Sequence, residues 1–217
     1  MSPIDQFINK GLTCIAAPQG MAGLIRIVLA GLPVFMAESD RYKRRCGFDY
    51  PYRLGNKAKE KDKDTAYIVK WGERNHDGTR SDKKQMWHHR HGIMTQLLDT
   101  AGVDYSRHMP FLEACEQLHE LCWETTRDLL RKIDQKKGSN LVARFEAMPR
   151  HAHLVRFICY MAPRDESELI LAQPHIDRNS GTFALYESCS GLEAKVSIRN
   201  GRPARWRPVA STAKKLL

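Results

Sequence analysis

The chain lacks the cysteine patterns of a small stapled protein. Its six cysteines, at 14, 46, 115, 122, 159 and 189, include no C-x-x-C pair, which excludes a zinc ribbon and a thioredoxin-like motif. Cys115 and Cys122 stand seven apart in a helical pattern, the spacing of one buried face, and the six are read as reduced thiols of a cytoplasmic protein. Long apolar runs are missing as well. The most apolar window, Met21 to Ala37, contains Arg26 and Pro33 and falls short of the roughly 20 residues that a membrane span needs. Asp5 interrupts what would be the positive region of a signal peptide. A core helix with no membrane contact is the expectation. No internal repeat or low-complexity linker divides the sequence, so one domain is expected over residues 1–217. The strong bias of a collagen, a mucin-like stalk or a fully disordered chain is absent. With 42% hydrophobic and 28% charged residues, the composition is that of a globular protein.

A charge excess is present but confined. The net charge is +10, yet Lys195 to Leu217 carries seven basic residues and no acidic one, which leaves +3 on the first 194 residues. A near-neutral body with a basic tail offers non-specific phosphate attraction. Trp206 is the tail's only aromatic and no nucleic-acid motif accompanies it, so nucleic-acid binding ranks last among the functions considered.

Local patterns suggest helices first and strands later. Leu12 to Ala16 reads as a short strand and Pro18-Gln19-Gly20 as a turn. A helix is expected from Met21 to about Arg44, bent or interrupted near Gly31 and Pro33. Arg53 to Asp64 is lysine-rich and reads as a solvated loop, Thr65 to Trp71 as a strand and Asn75 to Gly78 as a turn. The clearest helix runs from Pro110 to the stop at Gly138. Phe111, Cys115, Leu118, Cys122, Thr125, Leu129 and Ile133 recur along one side of it. Glu113, Glu116, Glu120, Arg127, Asp128, Arg131 and Lys132 line the other. Leu154 to Tyr160, Thr182 to Glu187 and Leu192 to Ile198 read as β-rich. The expected class is therefore α+β: a helical part over about 1–138, a β-rich part over about 150–209 whose strands form a sandwich or barrel, and a basic tail to 217.

The constellation with the most chemistry is Gln173-Pro174-His175-Ile176-Asp177. Side chains two apart on a strand point to the same side, so an imidazole nitrogen and a carboxylate oxygen can meet at one metal ion. Joined by a second histidine, they would form the 2-His-1-carboxylate facial triad of non-haem Fe(II) enzymes. Around the pair stand Leu154-Val155-Arg156-Phe157-Ile158-Cys159-Tyr160-Met161-Ala162-Pro163 before it, and Gly181-Thr182-Phe183-Ala184-Leu185-Tyr186 and Gly191-Leu192-Glu193-Ala194-Lys195 after it. Asp82-Lys83-Lys84-Gln85-Met86-Trp87-His88 lies further upstream. In this order the segments resemble the isopenicillin N synthase-like family of Fe(II)/2-oxoglutarate-dependent oxygenases, over most of the chain up to about Arg207. The resemblance implies N-terminal helices with a double-stranded β-helix (a jelly-roll), His175 and Asp177 as Fe(II) ligands, 2-oxoglutarate as cosubstrate and a small-molecule substrate. Tyr160 matches the position where relatives contact the 2-oxoglutarate carboxylate, and reads equally as a strand aromatic packed in the core. Thr182 stands beside the site in the pattern, and its β-propensity explains it equally well.

One departure qualifies the resemblance. The family carries a second metal-binding His on a later strand and, about ten residues on, an Arg for the far carboxylate of 2-oxoglutarate. Here His175 is the last histidine, 40 residues follow Asp177, and no Arg stands at that position. The jelly-roll is thus expected to be partial. A truncated oxygenase, a diverged relative serving as a non-catalytic binding module, and a metal site completed by an upstream histidine are the three explanations. Trp87-His88-His89-Arg90-His91 offers candidates for the last; its plainer reading is the partly exposed polar start of a helix. His151 and His153 read as strand or loop residues.

Overall fold

The computed structural model describes residues 2–11, 13–49, 63–70, 84–100, 102–160, 181–187, 191–198 and 202–208. In chain order come α1 (Pro3–Lys10), α2 (Met21–Met36), α3 (Asp40–Arg45), β1 (Gly47–Asp49), β2 (Lys63–Lys70) and β3 (Lys84–His89). There follow α4 (Ile93–Leu98), a 3-10 turn at Ser106–His108, α5 (Met109–Lys137), α6 (Leu141–Glu146), a second 3-10 turn at Arg150–Ala152, β4 (Val155–Tyr160), β5 (Glu193–Ile198) and β6 (Arg202–Pro208).

The turn expected at Pro18–Gly20 precedes α2, but the single long helix expected after it is two helices. Pro33 lies inside α2, which carries on through it and stops at Met36. A proline removes one backbone donor and crowds the preceding turn, which weakens continuation. Three residues on, the Ser39 side chain accepts a hydrogen bond from the Tyr42 amide at 3.2 Å and starts α3 afresh. The break therefore falls at 37–39, where a new cap is available, and not at Gly31. Of the strand expected at Leu12–Ala16, residues 13–16 are described and form no strand. Residues 13–16 alternate between half-buried and exposed as a strand would, but β-propensity yields a ladder only beside a partner, and none lies there among the described residues. Thr182 to Glu187, also expected to be β-rich, has no regular structure, for the same reason. Most of the lysine-rich stretch and the turn at Asn75–Gly78 lie outside the described residues; Lys63 and Asp64 are the first residues of β2.

Helix α5 is the scaffold. It begins with Pro110 in its first turn and ends at Gly138, whose amide donates to the Asp134 carbonyl at 2.7 Å with φ at +62°. Only glycine adopts that left-handed cap at no steric cost. Gly138→Ala should cost about 1 kcal/mol of stability, read from urea denaturation. The Asp134 carboxylate accepts from the amides of Leu141 (2.8 Å) and Val142 (2.9 Å), so the end of one helix caps the start of α6.

Four strands pair antiparallel in the order β1-β2-β3-β4, and β5 and β6 form a separate antiparallel pair. The chain is thus α+β, with three strands of the main sheet drawn from its first 138 residues. Cross-strand partners share a face. Trp87 lies opposite Tyr67 on β2 and Phe157 on β4, and all three turn toward α2 and α5. There Trp87 meets Phe35 edge-on at 4.9 Å and Phe111 at 5.5 Å between ring centres. Val28, Leu32, Leu112 and Cys115 complete this core. Among the described residues no helix is long and apolar enough to cross a membrane.

Candidate functional site

The histidine-rich stretch after Met86, expected as a partly exposed helix start, is instead the buried end of β3 and the turn that follows it. Its two apolar residues, Met86 and Trp87, are adjacent and both buried, one on each face of the strand. Burial comes from its central place between β2 and β4, which no local pattern specifies. Successive side chains then part company. Trp87 and His89 face the helices, while Met86 and His88 face the other side of the sheet.

On the helix side, His89 is wholly buried and makes a short contact with α5. The indole N–H of Trp87 can only donate, and it lies 3.4 Å from His89 Nδ1, so Nδ1 is the accepting nitrogen. Nε2–H then donates to Glu116 Oε2 at 2.8 Å. The second carboxylate oxygen lies 3.2 Å from His91 Nδ1 and accepts from the Gly92 amide at 3.5 Å. Burial pushes the Glu116 carboxyl upward, but the hydrogen bond from His89 and the neighbouring Gly92 amide and His91 outweigh it and hold it below the usual range. His119, one helical turn beyond Glu116, is buried with its ring 6.2 Å from both His89 and His91. Its Nε2–H donates to the His153 carbonyl at 3.1 Å, while Nδ1 has no hydrogen-bond partner among the described residues. Three imidazoles thus surround one carboxylate where β3 meets α5.

On the opposite side, His88 Nδ1 lies 3.2 Å from both the carboxylate and the carbonyl of Asp64, and its Nε2 is unpartnered among the described residues. Burial first, then the Arg156 charge, pushes His88 below the usual histidine range. Arg90 binds Asp64 at 2.9 Å and reaches the His151 carbonyl at 3.2 Å. Burial raises the Asp64 carboxyl, yet His88 and Arg90 hold it below its ordinary value. Ile68, Met86 and His88 are buried on this face, while Ile158, paired with Met86 at the edge strand, is 36% exposed.

Tyr160 ends β4 on the same face, opposite Lys84 and 37% exposed. An aromatic packed in the core would be far less accessible, so that alternative for Tyr160 does not hold. The chain then leaves the described residues, and His175 and Asp177 lie outside them. Thr182 is described and exposed. His151 sits in the 3-10 turn and His153 just after it, with its ring tilted against Phe145 at 4.4 Å between centres. Among the described residues no three metal-ligating side chains are arranged to hold an ion.

Sequence reasoning passed over Asp64, Arg90 and His119, and placed Glu116 on the wet face. The spacing of Glu116 and His119, three apart on one helix face, was an available signal. What recruits them is the register of β3, a long-range feature. No protein-family model, no curated protein and no solved structure matches this chain.

Proposed function

We propose that the chain is an Fe(II)/2-oxoglutarate-dependent oxygenase of the isopenicillin N synthase-like type, built on a partial jelly-roll and acting on a small molecule. The observation that carries this reading is His175-Ile176-Asp177, following a strand that ends in an outward tyrosine. Two further features support it. Lys84–His88 and Val155–Tyr160, both part of the resemblance, are neighbouring antiparallel strands. The face bearing Tyr160 is buried at its centre, as a sheet in a two-layer roll must be.

The donor set suits the metal, since an imidazole nitrogen and a carboxylate oxygen are the ligands that non-haem Fe(II) takes. His175 and Asp177 would hold it, and the Tyr160 hydroxyl would donate to a carboxylate of the cosubstrate. Of the upstream histidines, His88 shares the Tyr160 face and has a ring nitrogen to offer as a third donor. When bound, iron with 2-oxoglutarate supplies an oxidant able to remove hydrogen from a C–H bond, and the protein's part is to orient and shield that chemistry.

The test is anaerobic Fe(II) titration of the full chain, followed by succinate measurement with 2-oxoglutarate and air. His175→Ala and Asp177→Ala should each weaken Fe(II) binding by more than about 100-fold, beyond the loss typical of residues that only support a ligand. Unchanged binding in both variants would refute the assignment. Stoichiometric binding without succinate would instead favour a non-catalytic module of the same fold.

A further inference from the structure

The corner where β3 runs into α5 contains more bases than its carboxylate can serve. Glu116 has two oxygens, and His89 and His91 occupy them at 2.8 and 3.2 Å. His119, the third imidazole, stands 6.2 Å from each of those rings, buried, with one nitrogen committed to the His153 carbonyl. Its Nδ1 has no partner among the described residues. While neutral, Nδ1 is an acceptor only and carries no proton that needs a partner. A proton on Nδ1 would create a buried cation with a donor aimed at nothing, the combination that interiors tolerate least.

We propose that the His89–Glu116–His91 contact is an acid-released clasp between the sheet and α5, closed while His119 is neutral and opened when His119 takes a proton. Of the groups facing His119, the Glu116 carboxylate and the His153 carbonyl favour the new charge, and burial outweighs them. From its own helix comes Glu116, already engaged by two histidines. From β3 comes His89, and from the turn after it His91. The 150–154 segment presents the His153 carbonyl. Beyond it the nearest fixed charges are paired, Arg150 with Glu120 and Arg90 with Asp64. A proton on His119 would then lie beside a carboxylate whose two oxygens are already taken, and swinging His119 out into water is the available relief.

Direction and size follow from linkage. Burial first, with the nearby His89 and His91 charges, pushes His119 down to about 4. A base depressed in the folded state binds its proton more readily once the segment opens. Closure is therefore fully favoured above about pH 6.5 and is lost as the pH falls toward 4. From pH 7 to 4.5 the opening equilibrium should rise roughly fifty-fold.

Native-state amide hydrogen exchange on the full chain, corrected for intrinsic rates at the two pH values, tests this. Peptides covering 86–93 and 114–121 should show the roughly fifty-fold rise, while 125–137 at the far end of α5 should not. In His119→Gln, whose side-chain amide keeps a donor for the His153 carbonyl but cannot take a proton, the rise at the corner should shrink to within about three-fold. An equal pH response in the variant, or a uniform response along α5, overturns the proposal. Should the variant fail to fold, NMR titration of the wild-type ring decides: His119 titrating below pH 5 supports the clasp, and titration near 6.5 overturns it.

Discussion

Trp87→Ala is expected to lower the stability of this protein by about 3–5 kcal/mol, the range for removing a large buried aromatic. Trp87 is 0% exposed and is the largest of the fully buried side chains. It stands at the centre of the sheet, between Tyr67 and Phe157 in register, and meets Phe35 of α2 and Phe111 of α5 at 4.9 and 5.5 Å. Truncation would empty the one place where both helices and three strands meet. It would also strip His89 Nδ1 of its donor and loosen the tautomer that points Nε2–H at Glu116. Domains of this kind are stable by only about 5–15 kcal/mol, so the variant should be partly unfolded at 37 °C. Urea denaturation followed by far-ultraviolet circular dichroism checks it. Trp87→Phe, which keeps a ring and loses the indole N–H, should cost about 1–2 kcal/mol. Equal losses in the two variants would mean that the indole volume is not what fills the core.

Gly31→Ala carries the second largest expected effect on stability. A Cβ at Gly31 would lie 2.5 Å from Phe111 Cβ, closer than carbon atoms approach without a shift. Phe111 Cβ is fixed to the α5 backbone, so a rotamer change cannot relieve the clash and the two helices must separate. Against this, replacing a helical glycine by alanine gains about 1 kcal/mol in helix propensity. The steric term wins because it disturbs the whole α2–α5 contact, and a net loss of about 2 kcal/mol is expected. A double-mutant cycle with Phe111→Gly isolates the cause. Removing the Phe111 Cβ takes away the clashing atom itself, so the pair should be less than additive by at least about 0.5 kcal/mol. Strict additivity would show that the two positions do not press on one another.

Where the sequence was legible, the reason was local. Helix α5 was readable almost to the residue because its apolar spacing, Pro110 and Gly138 all act within a few residues of one another. The buried face came out right at Phe111, Cys115, Leu118 and Ile133, and too broad at Cys122, Thr125 and Leu129, which are only half-buried. At about 1.5 Å per residue, the 16 residues of α2 cannot cover the 29 of α5, and sequence periodicity says nothing of a neighbour's length. The strands at Thr65–Trp71, Leu154–Tyr160 and Leu192–Ile198 were found within a residue or two, since β-branched and aromatic side chains cluster there. Leu12–Ala16 has comparable residues and no ladder, because a strand is a relation between two segments.

Composition and short-range pattern alone therefore determined the class of the protein, the extent of its main helix, three of the six described strands and the basic character of its tail. The same reading put an imidazole and a carboxylate two residues apart at 175 and 177. Tertiary structure decided the fate of the polar side chains. Three histidines within four positions were sent to different environments, His88 to Asp64 under one face, His89 to Glu116 under the other, and His91 to the rim. The physical reason is the two-residue period of a strand: a register set by distant partners assigns each neighbour to an opposite side, and no feature of the stretch from Trp87 to His91 records which side that is.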